Sequence, residues 1–151
     1  MRISAKEDYA VRAALELAIA KGRPVTREQI AGAQEIPMAF LQNILMELRH
    51  AELVEAQRGR EGGFRLARPA AEITIADVIR AVDGPLANVR GMRSEQVSYA
   101  GNAAPLRDVW VAVRASLRGV LENVTLQDLA SGELPDQVRA LAADPEAWAP
   151  H

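Results

Sequence analysis

The first fifty residues carry three runs of apolar residues at helical spacing. A capping-box pattern at residues 4–7 predicts the start of a first helix that ends near residues 21–22. A second capping box at residues 26–29 opens a short helix, and a turn over residues 35–37 precedes a third helix that reaches about His50. Two helices joined by such a short turn are typical of a helix-turn-helix motif.

The third helix separates its apolar and polar residues onto opposite faces. Its inward positions, spaced i, i+3, i+4 and i+7, are Leu41, Ile44, Leu45 and Leu48. Its outward positions are Gln42, Asn43, Met46 and Arg49. The amides of Gln42 and Asn43 can pair with adenine in the major groove of DNA, and Arg49 is suited to a phosphate. An ordinary solvated helix face would also hold such residues.

Two segments of strand character, 53–57 and 64–67, flank a loop with three glycines among residues 58–63. This pattern predicts a β-hairpin. We therefore expect a mainly α fold with a small β-hairpin wing, a winged helix-turn-helix over residues 1–84 that ends with a fourth helix capped at residues 74–77. Arg58 and Arg60 at the hairpin tip suit a narrow minor groove. Such arginines could also simply keep an exposed hairpin edge soluble.

After residue 84 the chain divides into a polar loop (85–104), a helical segment (105–132) and a tail (133–151) that we expect to fray. A long helix from Pro105 to about Val124 carries an apolar stripe, and a short capped helix follows at residues 125–130. The eight stripe positions are Leu106, Val109, Trp110, Val113, Leu117, Val120, Leu121 and Val124. Two copies can bury these positions against each other, so we predict a homodimer. Trp110 could instead close an effector pocket, but core or interface is the commoner role.

Composition narrows the classes of function. The 151-residue chain is 49% hydrophobic and 25% charged, as is ordinary for a globular protein. It has no Cys, which excludes disulfides, a Cys nucleophile and conventional iron–sulfur ligation. We find no apolar run of the ~20 residues that span a membrane and no signal-peptide pattern, so we expect a cytoplasmic protein without a membrane partner. The sequence has no catalytic motif, so we expect that the protein is not an enzyme. Its histidines, His50 and His151, are isolated, so we expect no metal site.

The net charge of −2 conceals an asymmetry along the chain. Residues 1–70 hold 11 basic and 9 acidic residues, whereas residues 71–151 hold 7 and 11. The strongest local excess lies at residues 57–69, where four arginines accompany one glutamate. A mildly acidic protein can bind DNA when its basic groups gather on one face.

Taken together, these segments resemble the family of winged-helix repressors that includes IscR, NsrR and CymR. The resemblance covers residues 1–132, through the stretches MRISAKEDYAVRA, IPMAFLQNILMELRHAELV, RGREGGFRLARP, EITIADVIRAVDGP and TLQDLASG. It implies a homodimeric, sequence-specific regulator of transcription, and a two-fold dimer requires an inverted-repeat operator in double-stranded DNA. The resemblance places Pro37, Ala39, Phe40 and Gln42 at the major groove and Arg58 and Gly59 at the minor groove. Lys6, Asn43, Arg49 and Arg60 complete the predicted DNA-binding set.

The chain departs from the cluster-bearing members of that family in the loop at residues 85–104. Those members carry three Cys there and some a His before the Trp, whereas this loop has no Cys and Arg107 stands at the His position. The comparison implies a member without an iron–sulfur cluster, and we expect no cofactor. The sequence identifies no small-molecule or protein effector. Pro37 and Ala39 replace family serines, which leaves the operator open.

A second hypothesis belongs to a different class of function. In it the chain is a winged-helix protein–protein interaction module, whose acidic C-terminal half docks a partner and whose wing is incidental. Salt-sensitive binding to duplex DNA would separate the two hypotheses.

Overall fold

The computed structural model describes residues 2–150; His151, whose predicted lack of a metal role was noted above, lies outside them. Within that range the helices are α1 (Ala5–Ile19), α2 (Arg27–Gln34), α3 (Met38–His50), α4 (Ile75–Asp83), α5 (Leu106–Leu121), α6 (Leu126–Ser131) and α7 (Asp136–Ala143). Strands β1 (Val54–Gln57) and β2 (Gly63–Leu66) form an antiparallel hairpin. The predicted fold, mainly α with a β-hairpin wing, is confirmed.

Short side chains fix the starts of four helices. In each pair, the side chain of the first residue accepts a hydrogen bond from the backbone N–H of the residue three positions later. The Glu, Gln or Asp side chain of that later residue accepts a hydrogen bond from the backbone N–H of the first. The pairs are Ser4 and Glu7, Thr26 and Gln29, Thr74 and Asp77, and Thr125 and Asp128. Between α2 and α3, Glu35 adopts the left-handed conformation (φ 51°) and Ile36 is buried. These local signals explain why the helix-turn-helix could be read from the sequence.

One apolar core joins α1, α2, α3, α4 and the hairpin. Its most deeply buried members are Ala10, Ala13, Leu17, Ile30, Leu41, Ile44, Leu45, Leu48, Ile73, Val78 and Leu126. Leu126 belongs to α6, so α6 packs into the core of the winged unit. The predicted segment at residues 105–132 therefore contains two helices in different surroundings, since α6 is part of this core and α5 lies outside it.

The long helix is shorter than the sequence predicted. Pro105 caps α5, and the helix ends at Leu121 rather than at Val124. Beyond it, the backbone of residues 124–126 pairs with residues 73–75: Ile75 N–H donates to the Val124 carbonyl and Leu126 N–H to the Ile73 carbonyl, each at 2.9 Å. This pairing buries Val124 inside its own protomer, where only 2% of it is exposed. Its assignment to a dimer interface is corrected accordingly.

One further expectation changes in the C-terminal half. The tail contains α7 and a 3-10 turn at Pro145–Trp148, so the expectation of fraying is wrong for these residues. The loop at residues 85–104 holds 3-10 turns at Ser94–Gln96 and Gly101–Ala103. Among residues 2–150, no helix is both long and apolar enough to cross a membrane.

Candidate DNA interface

The solvent-facing side of α3 is open. Leu41, Ile44, Leu45 and Leu48 are at most 1% exposed, and this anchors one side of the helix in the core. The residues on the opposite side are exposed: Pro37, Ala39, Phe40, Gln42, Asn43, Met46 and Arg49. No side-chain hydrogen bond caps the helix at Pro37. The polar groups on this face are therefore available to an external partner.

Helix α1 supports both helices of the motif. The Tyr9 ring meets the edge of the Phe40 ring, with centroids 5.7 Å apart and planes at 72°. The Arg12 guanidinium lies 4.9 Å from the Tyr9 centroid and donates a 2.8 Å hydrogen bond to the Gln34 carbonyl at the end of α2. Tyr9 and Arg12 thus position the turn and the start of α3. Sequence reasoning missed them, although a Tyr in a chain with two tyrosines was a usable signal.

The backbone of the hairpin packs closely against the chain just before α2. Val25 and Phe64 exchange N–H to carbonyl hydrogen bonds of 2.8 Å in both directions. A Cβ on Gly63 would lie 2.7 Å from the Val25 carbonyl, and Gly63 has φ +154°. A side chain there would push the wing away from the motif. Both the packing against Val25 and the positive φ therefore require a glycine at position 63.

The wing tip presents arginines to solvent. Arg58, Gly59 and Arg60 are exposed, and neither Arg58 nor Arg60 forms an ion pair with any residue in the range 2–150. Arg65 behaves differently, because it pairs with Glu55 across the hairpin. Because no carboxylate pairs with them there, the two tip guanidinium groups are available to an external anion.

Lys6 does not belong with these exposed groups. Its ammonium donates to the Glu47 carboxylate at 2.8 Å and to the Val82 carbonyl at 2.6 Å. The group therefore ties α1 to α3 and to the end of α4, where a cation stabilises the unsatisfied carbonyls. This geometry argues against the prediction that Lys6 binds DNA.

Helix α5 exposes the stripe that the sequence identified. None of its residues is fully buried, and Val109 is 50% exposed. Leu106, Trp110, Val113, Leu117, Val120 and Leu121 are half-buried. Leu121 packs on a small apolar cluster that contains Ile79 and Leu86. A cavity of about 660 Å³ lies between the start of α1, the end of α4 and this face of α5.

Contacts within the protomer order the loop at residues 85–104. Ser94 is fully buried and its hydroxyl donates to the Ala87 carbonyl at 2.7 Å. Arg107 donates to the Glu95 carbonyl at 3.0 Å, while the Glu95 carboxylate pairs with Arg114 at 3.2 Å. The Trp110 indole N–H donates to the Tyr99 hydroxyl at 3.1 Å. Arg107 therefore fastens the loop to α5.

An exposed face on the second helix of the motif and a basic hairpin tip, both carried by one helical core, are the features of a winged helix-turn-helix fold. The family Rrf2, described as "Iron-dependent Transcriptional regulator", matches residues 3–132. The chain belongs to the Rrf2 family of transcriptional regulators, which are not enzymes. This confirms the resemblance drawn from the sequence.

Individual relatives agree with this assignment. A Mycobacterium tuberculosis protein, named provisionally as an HTH-type transcriptional regulator, is 53% identical over 145 residues, covering 95% of this chain and 90% of that protein. The structure of CymR from B. subtilis, called its global cysteine regulator, superposes with a TM-score of 0.73 at 32% identity, covering 87% of this chain and 98% of that one. The structure of IscR from T. potens superposes with a TM-score of 0.70 at 28% identity, covering 99% of this chain and 97% of that one.

The family description mentions iron, but the donor atoms of this chain do not fit an iron site. The sequence has no Cys, and the loop at residues 85–104 has neither Cys nor His. Its one carboxylate, Glu95, is paired with Arg114. Across residues 2–150, His, Asp and Glu side chains nowhere gather in the groups of three or more that could hold a metal ion. Iron–sulfur clusters need thiolate or imidazole ligands, which this loop cannot supply.

Proposed function

We propose that this chain is a homodimeric repressor that binds an inverted-repeat operator in the cytoplasm without an iron–sulfur cluster. The observation that carries the proposal is the open face of α3. Gln42 and Asn43 are exposed on it, so their amides point to solvent. Such amides can pair with an adenine edge in the major groove.

The wing supplies the second contact. Arg58 and Arg60 flank Gly59, whose φ of +112° gives the tip a tight turn closed by a 3.0 Å hydrogen bond from the Gly62 N–H to the Gly59 carbonyl. A guanidinium on such a narrow tip suits the negative potential of a narrow minor groove. Pro37, Ala39 and Phe40 would then face the major groove at the start of α3, and Arg49 would meet a phosphate.

The proposed dimer uses the stripe of α5 without Val124. Leu106, Val109, Trp110, Val113, Leu117, Val120 and Leu121 would contact a second copy. The cavity beside this face is mostly apolar and lies between Ile3, Leu86 and Leu117. A second copy of α5 would remove this surface from water and place two α3 helices about a two-fold axis, as an inverted repeat requires. The repressor assignment rests on the resemblance to the family.

The first prediction separates the two DNA contacts. Arg58→Ala should weaken binding to all duplexes and lower the salt dependence of the affinity, because that dependence scales with the phosphate charge neutralised. Gln42→Ala should relax base preference at one or two positions, worth ~1–3 kcal/mol each, with the salt dependence unchanged. Selection from random duplexes, followed by titration at several salt concentrations, measures both effects.

Matched controls lie away from the interface. Arg139→Ala on α7 and Gln127→Ala on α6 remove the same exposed groups and should leave binding as in the parent. Absence of an inverted repeat among the selected duplexes, or identical selections by the parent and Gln42→Ala, would contradict the assignment of α3. Duplex binding that is insensitive to salt would favour the alternative of a partner-binding module.

A second prediction concerns the missing ligands. Protein purified without oxygen should contain no stoichiometric iron or sulfide, and chelators should leave its duplex affinity unchanged, because no residues replace the thiolates. Iron and sulfide analysis with absorbance spectroscopy measures this. Stoichiometric iron with visible absorbance would overturn the prediction.

A further inference from the structure

Four arginines meet at a cleft on the side of the molecule where α4, the loop and α5 come together. Arg80 comes from α4, Arg93 from the loop, and Arg114 and Arg118 from successive turns of α5. The cleft has a volume of about 420 Å³, within the range in which small molecules bind. In the described part of the chain no acidic residue lines it.

Carboxylates at the edge of the cleft hold three of these arginines in place. Glu122 accepts hydrogen bonds from Arg118, at 2.9 Å, and from Arg80. These bonds, the one from Arg118 foremost, lower the pKa of Glu122, which stays ionised at neutral pH. Glu95 pairs with Arg114 at 3.2 Å. Each guanidinium carries five N–H donors, so these contacts leave donors free for another partner.

The charges around the cleft do not cancel. Glu122 serves two arginines at once, and Asp77 approaches Arg80 only to 3.9 Å while it also accepts the capping hydrogen bond from the Thr74 N–H. Arg93 has no ion pair with any residue between 2 and 150. The site therefore retains a positive charge and a fork of unused donors at Arg93.

We propose that this cleft binds a small anion with at least two negative charges, carried on phosphoryl or carboxylate groups. Guanidinium groups bind both kinds of oxyanion through paired N–H donors. The anion would bridge Arg93 on the loop to Arg114 and Arg118 on α5. This ligand class goes beyond DNA binding and dimerisation, and it does not depend on either.

The position of the cleft connects it to the candidate DNA interface. Arg80 lies on α4, and the carbonyl of Val82 at the end of the same helix accepts the hydrogen bond from Lys6. Lys6 also pairs with Glu47 on the half-buried flank of α3. An anion at the cleft would thus lie next to α4, which packs against α3.

The test is calorimetric titration of the full chain without DNA, at ~0.15 M salt to suppress weak ion binding. Pyrophosphate and citrate serve as the phosphoryl and carboxylate probes. We expect saturable binding of at least one probe, with one site per chain. Arg93→Gln should weaken it about tenfold or more, because it removes hydrogen bonds to a charged group. Arg114→Gln should have a similar effect.

Arg139→Gln on α7 controls for general loss of positive charge and should bind the probes as the parent does. Arg60→Gln removes an arginine of the wing and shows whether a probe binds there instead of in the cleft. Arg93 has no ion pair in the protomer, so Arg93→Gln keeps the test valid even if Arg114→Gln fails to fold.

Two results would overturn the proposal. The first is no saturable binding of either probe, and the second is binding that Arg60→Gln removes and Arg93→Gln does not. Since the titration contains no DNA, failure of the proposed DNA binding would leave its outcome unaffected.

Discussion

Helices α3 and α5 are both amphipathic, yet they lie in opposite environments. The inward residues of α3 are at most 1% exposed, whereas α5 has no fully buried residue and leaves Val109 50% exposed. Helix α3 finds its partners in α1, α2 and α4 of the same chain. Helix α5 also carries a stripe of apolar residues, but contacts within the chain cover this stripe only in part. The winged unit therefore buries its apolar residues within the chain, whereas α5 leaves part of its apolar stripe exposed.

The largest expected effect comes from placing charge on the α5 stripe. Val113→Asp with Leu117→Asp should give monomers, because two carboxylates would be desolvated in the interface. Loss of two-site attachment should lower affinity for an inverted repeat by about 10²- to 10⁴-fold. Light scattering and duplex titration measure the two consequences.

Val111→Asp provides the matched control, since Val111 is also exposed on α5 but lies outside the stripe. It should remain dimeric. A parent chain that is monomeric at micromolar concentration would contradict the proposed interface directly. Unfolding curves for all variants would show whether the fold is retained.

A core substitution should have the next largest effect. Leu17 is 1% exposed in the core of the winged unit, so Leu17→Ala should lower the free energy of unfolding by ~2–5 kcal/mol. Val109→Ala, made in the monomeric background described above, should change it by less than ~0.5 kcal/mol. Denaturant unfolding measures both. Equal losses would show that α5 is part of the same core.

The winged unit could be predicted because its signals are local. Capping boxes at Ser4, Thr26 and Thr74 mark helix starts, and apolar spacing assigns the buried face of α3. The glycine-rich loop then locates the hairpin, whose strands lie within one residue of the predicted positions. Each signal spans a few residues, and their order along the chain is enough to indicate the fold.

The features that the sequence did not reveal have non-local causes. Val124 continues the apolar spacing of α5, but the pairing of residues 124–126 with residues 73–75 follows the end of the helix and buries Val124. The sequence shows Lys6 as a free cation, whereas the fold brings Glu47 and the Val82 carbonyl to its ammonium, which disfavours its predicted contact with DNA. The cleft lined by four arginines combines residues from α4, the loop at residues 85–104 and α5, so no single stretch of sequence predicts it.

The smallest predicted effect concerns how α5 is fastened to the winged unit. Arg80 of α4 and Arg118 of α5 share the carboxylate of Glu122, and their hydrogen bonds lower its pKa. A carboxyl whose pKa is lower in the folded state stabilises that state above its unfolded pKa of about 4.3. The contribution is lost as the pH falls through the lower folded pKa. Glu122→Gln should therefore reduce stability at pH ~7, and its difference from the parent should shrink once the pH is well below about 4.3. Paired unfolding curves across this range measure the difference, and a value that stays constant with pH would show that Glu122 contributes through packing rather than charge.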